Sequence, residues 1–144
     1  MQVDFSLLLP EFLLALVGVA VLTADFSLAW GSARSKNGWL AGLTVVGLAT
    51  AMGLAVVTQH DERSYLYDHL IFVDLYALVF KTLAMAIGVA VILISTEYVY
   101  RKIRHPGEFY ALVVFAVLGA DLMAAAGELL TAYIAVELLA FCLY

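Results

Sequence analysis

The chain has 144 residues, of which 65% are hydrophobic and only 13% charged, and its formal net charge is -5. Soluble domains carry roughly half apolar residues and about a quarter charged, so this composition, with a mean hydropathy of +1.03, excludes an ordinary water-soluble fold. Seven basic residues and no basic tract give nucleic acid nothing to bind.

A membrane span takes about 20 residues, because the hydrocarbon core is about 30 Å thick and a helix rises about 1.5 Å per residue. The expected fold is therefore all-α, a polytopic transmembrane helix bundle in one membrane domain covering residues 1–144. Five spans are expected, near 5–30, 38–59, 75–98, 109–125 and 128–144. Asp4 stands where a cleavable signal would carry Lys or Arg, so the first apolar run reads as a retained helix. Pro10 suits a first helical turn, and Glu11 lies where the helix dipole favours an anion. A polar loop with Arg34 and Lys36 follows.

The second span opens at Trp39, an interfacial residue type, and carries Gly47, Ala49, Ala51 and Gly53, small residues four apart that permit close helix approach. Residues 60–74 form the longest polar stretch, with Tyr65, Leu66, Tyr67 and 70–73 suited to the interface. The third span contains Lys81 and is followed by Arg101, Lys102, Arg104 and His105, closed by the turn pair Pro106-Gly107. The fourth and fifth spans are separated by little more than Ala126-Gly127. Lys and Arg are concentrated in the loops after the first and third spans, which places those loops in the cytoplasm and the N-terminus outside. His60, His69 and His105 read as solvated loop histidines. Cys142, a lone thiol in an apolar run, reads as a packing residue. No dinucleotide, P-loop or metal-ligand spacing is present.

Charge inside a span needs a physical reason, since an acidic or basic side chain at the helix centre costs roughly 2.5–3.5 kcal/mol on insertion scales. Glu137 is the leading candidate for proton transfer. It lies nine residues past Glu128, roughly 13 Å deeper along the helix, with Tyr133 and Tyr144 on the same face. Glu128 itself suits the N-terminus of the fifth helix. Lys81 is six residues into the third span; it can snorkel outward or pair with Asp74 on the same face, and a charge-relay role is the functional alternative. Asp121, in the second half of the fourth span, is a further possible site. Asp25 and Glu97 fall near span ends and read as solvated.

The ordered set Leu8-Leu9-Pro10-Glu11, Asp74 with Lys81, Gly107-Glu108-Phe109-Tyr110-Ala111-Leu112, Leu118-Gly119-Ala120-Asp121-Leu122-Met123, Glu128-Leu129-Leu130-Thr131 and Ala135-Val136-Glu137-Leu138-Leu139 resembles the subunit N family of proton-pumping NADH:quinone oxidoreductase, respiratory complex I. These are antiporter-like membrane subunits, and the resemblance covers essentially the whole chain as an N-terminal portion. It implies a proton-translocating membrane-arm subunit in which Glu137 is the proton-path residue. It further implies no cofactor in this chain, with NADH, FMN, iron–sulfur clusters and quinone in partner subunits. Other complex I membrane subunits and the lipid bilayer are the implied partners, and a bacterial inner membrane the implied location. The alternative is a subunit of a multisubunit sodium/proton antiporter without redox function. Asp121 departs from the family, which usually has an apolar residue there. The family's later-helix lysines have no counterpart in these 144 residues, and a stop inside an apolar helix is what a portion of a larger subunit would show.

Overall fold

The structure, a computed structural model, describes residues 8–27, 33–59, 64–66 and 71–144. It is helical, as its composition requires. Helix α1 spans Leu9–Ser27, α2 Ala33–Gln59, α3 Leu75–Lys102, α4 Pro106–Ala124 and α5 Leu129–Leu143. Between α2 and α3, β1 (Ser64–Leu66) and β2 (Ile71–Val73) pair antiparallel, with Tyr65 opposite Phe72. This small ribbon lies in the stretch expected at the interface. His60, Arg63 and His69 lie outside the described residues.

Four helices, α1 to α4, are long and apolar enough to cross a membrane, while α5 has 15 residues. Helices α2 and α3 run past the expected span ends. Arg34 and Lys36 fall inside the start of α2, and Arg101 and Lys102 form the last turn of α3, where cations suit the helix dipole. Local chemistry sets the ends that matter. Asp74 caps α3, its carboxylate accepting from the Ala77 N–H at 2.7 Å. Pro106 opens α4 in the first turn, where its missing N–H leaves nothing unsatisfied. Glu128 is the N-cap of α5 but makes no side-chain capping bond, so its expected contribution there is reduced to its charge.

Consecutive helices alternate in direction. Helix α4 is central: it packs on α1 and α3, touches α2, and carries α5 on its remaining face. The core runs the length of this cluster through Leu14, Val21, Leu48, Met85, Ile92, Val99, Tyr110 and Val114, all fully buried. Close approach depends on small residues, Gly47 and Gly119 among them. A Cβ at Gly47 would stand 2.6 Å from Val17 Cγ1, and one at Gly119 would stand 3.0 Å from the Leu139 nitrogen and 3.1 Å from the Ala135 oxygen. Gly47 and Ala51 face the core as the small-residue pattern predicts, whereas Ala49 and Gly53 turn outward. The outer surface is apolar too, with Phe12, Leu16, Val57, Ile94, Leu129 and Phe141 exposed. Helices that are apolar all round belong in lipid or a large protein core. The architecture is thus a polytopic helical bundle.

Candidate proton-transfer site

Alternating helix direction brings α1 starts, α2 ends, α3 starts and α4 ends to one side of the bundle. Each contributes a polar side chain there: Glu11, Gln59, Lys81 and Asp121, which are 7%, 1%, 1% and 0% exposed. The Lys81 ammonium donates to Glu11 Oε1 at 2.5 Å and to Gln59 Oε1 at 3.2 Å. One lysine therefore ties three helices together. Glu11 Oε2 and both Asp121 oxygens have no hydrogen-bond partner among the described residues. Asp121 lies within electrostatic range of both Lys81 and Glu11.

This arrangement corrects the local reading of Lys81. It neither snorkels nor pairs with Asp74, which is committed to the α3 cap. A long-range partner wins because Glu11 sits at matching depth on α1, and a buried ammonium needs a carboxylate and further acceptors around it. Asp121 had no sequence rationale, and the fold supplies one: it is the fourth member of this buried cluster.

The opposite side of the bundle holds a second polar set. Asp25, expected to be solvated, is 8% exposed and forms an ion pair with Lys36 at 2.8 Å, while the Lys36 ammonium also donates to the Asp25 backbone oxygen at 2.8 Å. His105 Nδ1 lies 3.9 Å from Asp25 Oδ2, with its ring half exposed. Asp25 is buried because the start of α4 closes over it: a Cβ at Gly107 would collide with the Asp25 side chain. Deeper in, the Tyr110 hydroxyl donates to Asn37 Oδ1 at 2.9 Å, and Asn37 Nδ2 donates to the Thr96 oxygen at 3.1 Å. Glu97 is exposed as expected and pairs with Arg101 one turn on, at 2.7 Å.

Glu137 stands apart from both sets. It lies in the middle of α5 on the face turned away from α4, exposed at the surface of the described residues, with Tyr133 in hydrogen-bonding reach one turn earlier. The expected neighbour at i−4 is there. Ala135 and Leu139, on the other side of α5, meet Gly119 of α4. Glu137 thus sits on an apolar outward face beside Ile134, Val136 and Phe141. Among the described residues no group of three or more His, Cys, Asp or Glu is placed to hold a metal ion.

The described helices thus form a polytopic bundle with a lysine, a glutamate and an aspartate buried within its apolar spans and a further glutamate at mid-helix, where a bilayer disfavours charge. Over 142 residues the chain is 30% identical to NADH-quinone oxidoreductase subunit N of Trichlorobacter lovleyi (strain ATCC BAA-1151 / DSM 17278 / SZ), covering 99% of this chain and 28% of that protein. It is 34% identical over 138 residues to the same subunit of Heliobacterium modesticaldum (strain ATCC 51547 / Ice1), and 33% over 144 residues to that of Brevibacillus brevis (strain 47 / JCM 6285 / NBRC 100599), covering 94% and 98% of this chain. No family model matches. The chain resembles subunit N of NADH-quinone oxidoreductase along its length, consistent with an N-terminal portion, and spans 28% of the length of these relatives.

Proposed function

We propose that this chain forms the N-terminal part of a proton-translocating membrane-arm subunit of NADH:quinone oxidoreductase, coupling quinone reduction in partner subunits to proton transfer across a bacterial inner membrane. The observation that carries this reading is the similarity to subunit N over 94–99% of the chain, with Glu137 at the middle of α5. NADH, FMN, iron–sulfur clusters and quinone belong to the partners; the chain's own residues move charge.

In this reading Glu137 binds a proton near mid-membrane and releases it when a cation approaches. Its outward face on α5 leaves the carboxyl open to further parts of the assembly, and Tyr133 supplies a hydroxyl to orient it. Lys81 acts as a charge relay within the buried cluster, with Asp121 beside it. The loops rich in Lys and Arg face the cytoplasm, so the Glu11–Lys81–Asp121 cluster lies towards the outer side.

The test is Glu137→Gln in the full-length subunit within the assembled complex. A lowered proton-to-electron ratio, or a lowered quinone reductase rate, is expected; both unchanged would defeat the proposal. The sodium/proton antiporter alternative predicts sodium-dependent proton flux without NADH oxidation, and the relatives named above favour the oxidoreductase.

A further inference from the structure

We propose that Asp121 is a reversible proton-binding site that competes with Glu11 for the Lys81 ammonium, so that its protonation state sets how α4 is linked to α1 and α3. This deepens the proton-transfer reading but stands on a different set of contacts, none of which involves Glu137.

The buried charges do not balance. The cluster holds two carboxyls, Glu11 and Asp121, and one ammonium, Lys81. Lys81 is engaged by Glu11 Oε1 and Gln59 Oε1, while both Asp121 oxygens are buried and have no hydrogen-bond partner among the described residues. A bare carboxylate in such surroundings is costly unless paired, so the cluster needs one further positive charge. A proton meets that need better than a metal ion, because the Lys81 ammonium already sits among these oxygens and a second cation would be forced against it.

Among the described residues, the charged groups acting on Asp121 are Lys81 of α3 and Glu11 of α1, and α2 supplies the uncharged Gln59 to the same ammonium. On α5, Glu128 is at the helix start and Glu137 points away from α4. With its proton on, Asp121 is neutral and Lys81 stays with Glu11, as observed. When the Asp121 O–H bond breaks, the proton passes to water or to the next acceptor. The new carboxylate then draws the ammonium towards α4. One proton leaves, one hydrogen bond is shared anew, and no other bond changes.

Difference infrared spectroscopy of the full chain in lipid nanodiscs, titrated with pH, tests this. A protonated-carboxyl C=O component that titrates with pH is expected in the wild type, lost in Asp121→Asn and retained in Glu137→Gln, any Glu137 component being the one that Glu137→Gln removes. In Lys81→Met the second carboxyl, Glu11, also loses its counter-charge, so the intensity of about one further protonated carboxyl should appear. Asp121→Asn should fold as well as the wild type, since the amide replaces a neutral acid. A carboxyl band of undiminished intensity in Asp121→Asn would overturn the proposal, as would no added intensity in Lys81→Met. So would an Asp121→Asn fold weakened in the way a lost ion-pair partner weakens it. Failure of the Glu137 pumping test leaves these bands where they are, so the two readings fail separately.

Discussion

Lys81 shows how a single side chain organises this bundle. Its ammonium is buried with Glu11 and Gln59, and removing one partner of a buried pair costs about 3–5 kcal/mol because the other charge is stranded. Lys81→Met is therefore expected to destabilise the chain by about that much in chemical unfolding in detergent, while Glu11→Gln with Lys81→Met together should recover most of the loss. Equal loss in the single and double variants would show that the pair is not the source. At the other side of the bundle, Tyr110→Phe removes the bond to Asn37 and should cost about 0.6–1 kcal/mol in the same assay. These partnerships were only partly legible in the sequence. Lys81 and Asp121 stood out as charges within spans, but spacing along one helix suggested Asp74 for Lys81, whereas the carboxylate used lies 70 residues away. The depth of Glu11, close to that of Lys81 from the same membrane face, is the one signal in the sequence that could have identified the pair, and it was not read. Asp25 was misread for the same reason, because its cover comes from α2 and α4 rather than from its own helix.

At the scale of elements, apolar runs and loop signals identified the helices, while their ends depended on charge that the helix tolerates: Arg34, Lys36, Arg101 and Lys102 continue α2 and α3 past the apolar stretches. Helix α5 is held to the rest through α4 at Gly119, where backbone atoms of α5 come within 3.0–3.1 Å of a would-be Cβ. Gly119→Leu should pry α5 away. Ala116 and Cys142 line one groove between these helices, so a short bis-maleimide should join Ala116→Cys to the native Cys142 and lose that yield when Gly119→Leu is added. Undiminished cross-linking would show that α5 tolerates the bulk. The groove was not legible in the sequence, because apolar residues that line it and apolar residues that face lipid look alike.

For the whole molecule, the distribution of Lys and Arg predicts that a reporter enzyme active only outside the cytoplasm will be active when fused after Gln59 and inactive when fused after Lys102; the reverse pattern would invert the bundle. The link between Glu11 and Lys81 also bears on how the protein is made. A ribosome delivers these residues 70 positions apart, a delay of roughly 4–14 seconds at about 5–20 residues per second. Through that interval the first helix carries a carboxyl whose counter-ion has not yet been synthesised. Its release into the bilayer is therefore expected to await the third helix, so that the two enter as a cooperative unit rather than in order of translation.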